Sequence, residues 1–528
     1  MKKIYLLSIL FLGLGFISNA QRFVLIEASA DPANPANIFP VIMGDTTANG
    51  DRVDNNTVYQ LENGQVYVSS GRLVNKPEWP LQIQAVDLQD TENKAIITRI
   101  PNASGDYQDI MRAEGDVTFL NLWIIAGEVG PLELHDWGRM RILGEGSRVI
   151  VRDCIIEKER GGFLQMRANN VKCYVENSIL RNGGNRRVLQ GNGRGIDARD
   201  FYFDTLVVRN TIVHNIQDRF FRSQGGSQPH NYIEIDHCTS FNTIGRHGHI
   251  QLGRILTAKI TNNLFINPIM LGSSPIYTDE QTQPDGDLHK VITVDTLYEG
   301  TDLEISANNI FWTEDVTDYW ASNDTVSAPG VLSQLIEEHL GSEVGNAFFQ
   351  EQLELNNVPE RILQYVIDLY NDPSSINMYD FIVEDVAVAG TPFDSGNLFD
   401  FSEFAPCYSP NTESATASTN GGAVGAVGGC EELINSTTEV LNSSLQLTAQ
   451  PNPTAGATTF RYTLDQSSQV ALSLHSLSGQ KVATVFSGYQ VAGEQYVEWG
   501  PVQAMPAGLY IARLQTEEGV MALKMIVR

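Results

Sequence analysis

A short phrase recurs seven times between Val117 and Val316, and this repeat constrains the fold more than any other feature. Each copy places a polar anchor residue between two positions that are mostly apolar. The anchors are Asn121, Asp153, Asn177, Asn210, His237, Asn262 and Asn308. The anchor spacing is irregular and is shortest between Asp153 and Asn177. A fixed minimum with a variable excess is typical of a solenoid whose coils share a core and differ in their loops.

The phrase has the pattern of a β-strand, because most of its apolar residues are β-branched or aromatic and flank the anchor at a period of two. Four consecutive copies carry a second asparagine five residues after the anchor, at Asn182, Asn215, Asn242 and Asn267. Stacked asparagines can form hydrogen bonds from rung to rung. The sequence therefore predicts a mostly β protein, a right-handed parallel β-helix, with the anchors in one column and the second asparagines in another.

The start of the chain has the features of a secretory signal peptide over residues 1–20, and the mature chain is expected to begin near Gln21. No other stretch is apolar enough for a transmembrane segment. Residues 21–116 carry strand-like runs and are predicted to form an N-terminal cap and the first coils. The formal net charge of −28 argues against nucleic acid and against an anionic membrane as partners.

The predicted β-helix extends over residues 117–428. Apolar residues at helical spacing predict a small helical insertion at about 329–372, and a linker rich in small residues is predicted at 429–445. Cys407 and Cys430 bracket a loop and are candidates for a disulfide.

A column of glutamines is predicted on one outer face of the coil. Gln165, Gln190, Gln224 and Gln251 each stand beside a residue expected to point inward, so that alternation turns the glutamines outward. The same alternation places Arg222 and His249 outward, two residues before Gln224 and Gln251. The interval from Arg222 to His249 equals the interval between anchors Asn210 and His237, which predicts that Arg222 and His249 are neighbours on adjacent rungs.

The charge of this region differs from that of the whole chain. Residues 181–254 contain ten arginines, no lysine and six acidic residues, whereas residues 301–400 contain nineteen acidic residues and one base. A local positive patch on an acidic protein is what binding of an anionic chain requires. The alternative is a solvated surface with intramolecular ion pairs.

From residue 446 to 528 the composition changes to short alternating strands with frequent turns, which predicts a separate β-sandwich. Its motifs include 451–456 (PNPTAG), 478–482 (SGQKV), 506–510 (PAGLY) and the closing 524–528 (KMIVR). These residues resemble the type A sorting domain of type IX secretion. The resemblance implies the type IX secretion machinery as a partner and passage across the outer membrane of a Gram-negative bacterium. The protein would then be secreted, extracellular or attached to the outer cell surface.

The solenoid resembles, more loosely, the pectin lyase-like polysaccharide lyases. Residues 233–239 (IEIDHCT) are similar to a phrase of the pectate lyase family, and residues 247–253 (HGHIQLG) are similar to the segment that follows it. In that family the aspartate of the phrase helps to bind calcium, and this implies Asp236 as a metal ligand. The family's Arg-x-Pro-x-x-Arg motif does not occur here, so its catalytic arginine has no matching position.

These features lead to the hypothesis of a carbohydrate-active lyase on an acidic polysaccharide. Elimination needs a base and a cation beside the carboxylate, and the candidates are His249, His247, Arg222 and Arg246. Gln165, Gln190, Gln224, Gln251, Arg219 and Arg254 are the candidates for substrate binding. A hydrolase using two of Asp197, Asp200 and Asp204 is an alternative. The second class of function is a non-catalytic glycan-binding or adhesive surface solenoid.

Overall fold

The computed structural model places the chain in two compact units, Met1–Ser436 and Thr437–Arg528. It describes residues 21–127, 138–184, 193–245, 247–273, 290–324, 326–355, 363, 366–367, 406–427 and 430 of the first unit, and residues 447–452, 454, 456–464, 468–475, 481–491, 493–500, 508–516 and 519–527 of the second. The predicted signal peptide and most of the predicted linker lie outside the described residues.

The first unit is built from thirty strands within the described residues. In chain order they are β1 (Arg22–Ile26), β2 (Ala36–Asn37), β3 (Thr57–Leu61), β4 (Val66–Ser69), β5 (Leu73–Asn75), β6 (Leu81–Ala85), β7 (Ala95–Arg99), β8 (Met111–Ala113), β9 (Val117–Leu120), β10 (Leu122–Ile125), β11 (Met140–Ile142), β12 (Arg148–Arg152), β13 (Ile155–Glu157), β14 (Gly162–Met166), β15 (Val171–Glu176), β16 (Ile179–Gly183), β17 (Arg194–Asp197), β18 (Phe203–Arg209), β19 (Ile212–Ile216), β20 (Phe221–Arg222), β21 (His230–Asp236), β22 (Thr239–Thr243), β23 (Ile250–Gln251), β24 (Arg254–Thr261), β25 (Leu264–Ile266), β26 (Lys290–Thr293), β27 (Thr296–Ser306), β28 (Asn308–Phe311), β29 (Gly330–Leu332) and β30 (Phe348–Phe349).

These strands form three parallel sheets. The first sheet has the order β1-β3-β6-β9-β12-β15-β18-β21-β24-β27, and the second has the order β2-β4-β7-β10-β13-β16-β19-β22-β25-β28-β30. The third runs β29-β26-β23-β20-β17-β14-β11-β8-β5. Each full coil contributes one strand to each sheet and then returns one rung higher. The prediction of a mostly β protein built as a parallel β-helix is confirmed.

The core lies inside the coil because the inward positions of each strand are aliphatic. In β15 the buried Cys173 and Val175 alternate with the more exposed Lys172, Tyr174 and Glu176. Parallel pairing keeps this alternation in register from rung to rung. Val175 accordingly belongs to an inward column of paired residues that continues through Val208, Ile235, Ile260 and Ile305.

The two predicted asparagine columns are confirmed. Asn177, Asn210, His237 and Asn262 occupy equivalent positions between the first and second sheets, each with φ between 46° and 59°. This left-handed conformation is one that asparagine tolerates better than most residues. The second asparagines also have positive φ. They form a buried ladder, in which the Nδ2 atoms of Asn215, Asn242 and Asn267 donate to the Oδ1 of the asparagine one rung below at 3.5, 3.4 and 3.1 Å.

The last predicted anchor is wrong by one residue. Ala307, with φ of 54°, occupies the left-handed position of that rung. Asn308 instead begins β28 and donates through Nδ2 to the carbonyl oxygens of Ile260 and Ala347. The long, bulged β27 precedes this corner, and its register with β24 shifts between Ile255 and Thr257. From Thr257 and Asp302 onward the two strands pair without a further shift, so this corner is regular and differs only in holding alanine where the other rungs hold a polar anchor.

Short helices cap and flank the solenoid. They are α1 (Ile38–Gly44), α2 (Glu314–Ala321), α3 (Gln334–Leu340) and α4 (Val344–Ala347), with 3-10 turns at Gly341–Glu343 and Glu413–Ala415. Ile38 and Ile42 of α1 pack on the core of the first coils. Within the predicted helical insertion, residues 330–332 form β29 and not a helix, whereas α3, α4 and the described residues 363, 366 and 367 are helical.

Residues 406–427, together with Cys430, form a strap across the outer face of the second sheet. Tyr408, Ala415 and Ala423 of the strap bury the outward aliphatic side chains of that sheet. The strap is hydrogen-bonded to the coil, because Ala426 N donates to Thr239 Oγ1 at 2.9 Å. A disulfide joins Cys407 to Cys430 with Cα atoms 5.4 Å apart.

The second unit contains two antiparallel sheets. One has the order β31 (Thr448–Gln450), β32 (Thr458–Leu464) and β35 (Gly493–Trp499), and the other has the order β34 (Lys481–Gln490), β33 (Ser468–His475), β36 (Gly508–Thr516) and β37 (Gly519–Val527). Their alternating apolar residues form a core of their own, which includes Phe460, Tyr462, Leu472 and Leu514.

Candidate functional site

The outer face of the third sheet carries a single column of side chains in register. Inward Ile196, Phe221 and Ile250 alternate with the residues that follow them, which therefore point outward. Strand pairing gives the outward column in chain order as Val74, Arg112, Arg141, Gln165, Asp197, Arg222, Gln251 and Thr293. Most of these residues are polar, and the last five are at most 3% exposed.

A connected group of charged side chains lies along this column and in the turns that lead into it. We call it the arginine–aspartate network, and its members are Arg194, Asp197, Asp218, Arg219, Arg222, His247 and Gln251. Asp218 and Arg219 come from the turn before β20, and His247 comes from the turn before β23. Arg219 Nη1 donates to Gln251 Oε1, and Arg194 Nη1 lies 3.2 Å from Asp197 Oδ2.

Asp218 is at the centre of the network and is fully buried. Its Oδ2 is 3.0 Å from Arg194 Nε and 3.2 Å from Arg219 Nε, and its Oδ1 is 3.0 Å from His247 Nδ1. Burial alone would raise the pKa of this carboxyl, but Arg219, His247 and Arg194 hold the pKa well below its usual range. Asp218 therefore stays ionised and keeps its three partners in place.

Backbone packing brings Arg194 and Arg219 onto adjacent rungs. Gly195 N donates to the carbonyl oxygen of Arg219 at 2.9 Å. A Cβ atom on Gly195 would lie 2.5 Å from the carbonyl oxygen of Phe220, closer than any side chain allows. Glycine at position 195 is therefore required for the close approach that lets both arginines reach Asp218.

Arg222 is the network arginine whose positive charge is least balanced by the carboxylates of the described residues. Its side chain is 4% exposed, and its Nη1 is 3.8 Å from Asp197 Oδ1. Nη2 donates to Gln224 Oε1 at 3.3 Å, while Nε has no hydrogen-bond partner among the described residues. Burial and the charges of Arg194 and Arg219 lower the pKa of Arg222 to about 9. An anion placed against this guanidinium would supply hydrogen bonds and negative charge that the described residues do not provide.

His247 and Asp218 form an oriented pair. When the imidazole is neutral, the hydrogen bond to Asp218 Oδ1 places its proton on Nδ1 and makes Nε2 the basic nitrogen. This is the arrangement that a general base requires. The His247 side chain is 9% exposed.

The expected outward position of His249 is wrong. His249 is fully buried, with its ring 5.5 Å from the ring of Phe265 and 6.0 Å from that of Phe220. Neither ring nitrogen has a hydrogen-bond partner among the described residues, and burial lowers its pKa to about 3. A base must reach the proton that it removes, so this position does not suit the catalytic role predicted for His249.

The expected pairing of Arg222 with His249 is also wrong. Arg222 pairs with Gln251, which lies two residues beyond His249. The connection from anchor His237 to Gln251 is two residues longer than the connection from anchor Asn210 to Arg222. An interval equal to the anchor interval therefore does not identify paired residues in the third sheet.

The predicted glutamine column is incomplete. Gln165 and Gln251 lie in the outward column, but Asp197 and Arg222 stand between them. Gln224 lies after β20 and reaches the network only through its contact with Arg222. Two further candidates, Gln190 and Arg246, lie outside the described residues.

Two other candidates lie in the first sheet. Arg254 begins β24, where its backbone pairs with Thr296. Asp236 ends β21, and its carboxylate accepts hydrogen bonds from Thr261 Oγ1 at 2.6 Å and Asn262 Nδ2 at 2.8 Å and lies 2.7 Å from His237 Nδ1. Burial opposes ionisation of Asp236, but these partners lower its pKa. A metal bound at Asp236 would have to displace them. The part of the chain that the structure describes contains no group of three or more metal-ligating side chains.

Sequence reasoning gave no role to Arg194 or Asp218 and considered Asp197 only as part of a hydrolase. The signal in the sequence was indirect. Residues 181–254 contain ten arginines and six acidic residues, so some of these arginines are expected to pair with these acids. Which acids are paired depends on turns that have no periodicity.

The comparisons with known proteins concern the second unit. Residues 448–528 match the family of the secretion system C-terminal sorting domain. The match covers both antiparallel sheets and their shared core. These residues are a C-terminal sorting domain.

The sorting domain is of the type IX secretion kind, which makes the protein a secreted or cell-surface protein and the secretion machinery its partner. No curated protein matches the chain. Among the described residues, no helix combines the length and the apolar character that a membrane span needs.

Proposed function

We propose that the solenoid binds and cleaves an acidic polysaccharide at the arginine–aspartate network, as a lyase. Arg222 is the observation that carries this proposal. It is a buried cation whose Nε has no hydrogen-bond partner among the described residues and whose nearest network carboxylate is 3.8 Å away. A uronate carboxylate fits such a guanidinium through two parallel hydrogen bonds.

The proposed reaction is a β-elimination in which His247 is the base. Nε2 of His247 takes the proton from the carbon next to the uronate carboxylate. The electron pair of that C–H bond forms a carbon–carbon double bond, and the bond to the glycosidic oxygen at the adjacent carbon breaks. The departing oxygen takes up a proton from water. Arg222 stabilises the negative charge that develops on the carboxylate during proton removal, and Asp218 keeps the imidazole oriented.

The exposure of the network limits how a polymer can bind. The side chains of Arg194, His247 and Arg222 are 10%, 9% and 4% exposed. Direct contact is therefore confined to one or two charged groups of the polymer. The likeness of residues 233–239 and 247–253 to the pectate lyase family supports the same substrate class.

A non-catalytic glycan-binding or adhesive solenoid is the second candidate. The extent of internal pairing favours it, because Asp197 and Asp218 are already engaged by arginines. A network that is largely neutralised can bind an anion through Arg222 without a free base beside it.

The test measures ultraviolet absorbance of the unsaturated product with polygalacturonate, alginate and chondroitin sulfate as substrates. We expect a rise with one of them and its loss in His247→Gln, while affinity for that polymer stays within about twofold. His339→Gln is the control, since His339 is an exposed histidine on α3. Binding without product in the wild-type protein would leave the second candidate. Full activity of His247→Gln would overturn the role of His247.

A further inference from the structure

A second group of arginines lies lower on the outward column of the third sheet. Arg112 and Arg141 occupy adjacent rungs of the column, and Arg72 comes from the chain just before β5. All three surround Asp109, at 3.0 Å for Arg112 Nε, 3.5 Å for Arg72 Nε and 4.0 Å for Arg141 Nη1. We call these three arginines the lower arginine cluster.

Among the described residues, Asp109 is the carboxylate that pairs with the lower arginine cluster, and it does not neutralise all three arginines. Three arginines against one aspartate leave two positive charges, and Arg141 Nε and Arg72 Nε have no hydrogen-bond partner among the described residues. Burial, together with the charges of Arg112, Arg167 and Arg72, lowers the pKa of Arg141. The excess positive charge is therefore a local property of this face in a chain whose net charge is −28.

The lower arginine cluster is also more accessible than the arginine–aspartate network. The side chains of Arg112, Arg72 and Arg141 are 37%, 27% and 21% exposed. A structural ion-pair cluster would bring an acid to each base, whereas here three partly exposed arginines share Asp109 on an outer face. This combination fits a surface that binds anions.

The register places the two cationic groups on one line. Arg141 and Arg222 belong to the same column with Gln165 and Asp197 between them. Three rungs of about 4.8 Å each separate Arg141 from Arg222 by about 14 Å along the solenoid axis. Arg112 lies one rung further. A polymer that crosses the coil at Arg222 at right angles to the axis would miss the cluster, but a polymer that runs parallel to the axis would reach it.

We propose that the lower arginine cluster is a second binding site for the acidic polysaccharide, and that the polymer runs parallel to the solenoid axis along the third sheet. This rests on the proposed function for the identity of the ligand. Arg222 binds one carboxylate near the reacting bond, and the lower arginine cluster binds carboxylates several sugar residues away. The cluster contributes affinity for long chains and takes no part in the elimination.

The experiment compares a long and a short uronate ligand on the full chain. We measure affinity for polygalacturonate and for digalacturonate, which is too short to reach both groups. The double variant Arg112→Gln/Arg141→Gln removes two of the exposed cations. Arg148→Gln is the matched control, because Arg148 is an exposed arginine on β12 of the first sheet. Arg112→Lys/Arg141→Lys retains both charges and controls for packing around Asp109, and circular dichroism checks the fold of each variant.

We expect the double glutamine variant to bind polygalacturonate about tenfold more weakly, since partly exposed charge pairs are each worth up to about fivefold. Its affinity for digalacturonate should not change, and Arg148→Gln should match the wild type. The lysine variant should keep most of the affinity for the long chain.

Unchanged affinity for polygalacturonate in the double glutamine variant would overturn the second site and leave the proposed function in place. An equal loss for both ligands would show that the cluster acts through the fold or through Arg222, and it would also overturn the proposal. The wild-type protein is also tested with a long and a short form of alginate and of chondroitin sulfate. If it binds none of these ligands and neither galacturonate ligand, both the second site and the proposed function are overturned.

Discussion

The turn between the first and second sheets and the turn between the second and third sheets follow different rules. The first turn has the same length in most coils and holds a left-handed anchor, and the ladder asparagine lies five residues after the anchor, at the end of the second-sheet strand. The second turn varies in length and contributes Asp218, Arg219 and His247 to the arginine–aspartate network. One turn therefore fixes the register of the coil, and the other is free to carry charged side chains.

The difference between the two turns shows where in the coil a sequence repeat predicts the structure. A position that needs a left-handed backbone and a neighbour directly above and below accepts few residues, so the asparagines recur. A turn whose length changes from coil to coil imposes no such requirement, and its residues can be chosen for their chemistry. Substitutions in the two kinds of turn and in the ladder test this contrast.

The first prediction concerns the centre of the variable turn. Asp218→Ala leaves Arg219 buried without its carboxylate and leaves Arg194 with Asp197 alone, and we expect a loss of about 3–5 kcal/mol in the free energy of unfolding. Asp204→Ala is the control, because Asp204 pairs with Lys172 at 3.7 Å on the surface and should cost less than about 1 kcal/mol. Denaturant unfolding measures both. Equal losses would mean that the network is not a buried unit.

The second prediction concerns the ladder. Asn242 donates to Asn215 and accepts from Asn267. Asn242→Ala removes both hydrogen bonds and places alanine at a φ of 54°, and we expect a loss of about 3 kcal/mol. Asn242→Gly loses the same bonds without the left-handed strain and should cost about 1 kcal/mol less than alanine. If both variants unfold like the wild type, the ladder does not stabilise the register.

The contrast between the two turns also explains how much the sequence could predict. Recurrence of the anchor phrase, and of an asparagine five residues after the anchor, identified the strands, the anchor column and the ladder, because each reflects a backbone requirement repeated from coil to coil. The same recurrence failed at Ala307, because the corner there holds alanine and the polar-anchor pattern selected the next residue, Asn308. It failed at His249 because the turn before β23 is two residues longer than the turn before β20.

The composition of the network could not be predicted in this way. Arg194 meets Asp218 on one neighbouring coil, and Asp218 meets His247 on the next, at two different sequence separations. These separations depend on loop lengths rather than on any repeat. The arginine excess of residues 181–254 indicated a charged region, and four of the candidates drawn from it lie in the arginine–aspartate network, namely Arg219, Arg222, His247 and Gln251. The sequence could not identify the acids that hold the group together.

The third prediction concerns Glu159, which lies in the variable turn of an earlier coil. Glu159 is buried, its Oε1 accepts a hydrogen bond from Gly161 N at 2.9 Å, and its Oε2 has no hydrogen-bond partner among the described residues. Burial raises its pKa to about 8. The folded protein therefore holds a proton between about pH 4.5 and pH 8 that the unfolded chain has released, and stability falls as pH rises through this range.

We expect Glu159 to contribute a loss of about 2 kcal/mol in stability between pH 6 and pH 8. Glu159→Gln keeps an acceptor for Gly161 N and removes the titration, so its stability should change less over the same interval. Unfolding curves at both pH values, with wild type and variant measured side by side, give the difference. Parallel pH profiles for the two proteins would show that Glu159 is ionised in the folded state.

The smallest expected effect tests the anchor corner at its exceptional position. Ala307 adopts φ of 54° where the other anchors are asparagine, aspartate or histidine. Alanine has no side chain that can hydrogen-bond locally, so it bears the full strain of the left-handed conformation, about 1 kcal/mol. Ala307→Gly should therefore stabilise the protein by up to about 1 kcal/mol, offset in part by the greater flexibility of glycine in the unfolded chain.

Ala258→Gly is the control, because Ala258 points inward from β24 in ordinary strand conformation and its replacement should destabilise. Stabilisation at residue 307 together with destabilisation at residue 258 would show that backbone conformation, and not the anchor side chain alone, sets the preference at this corner. A loss at both positions would mean that the asparagines recur for their hydrogen bonds rather than for their tolerance of positive φ.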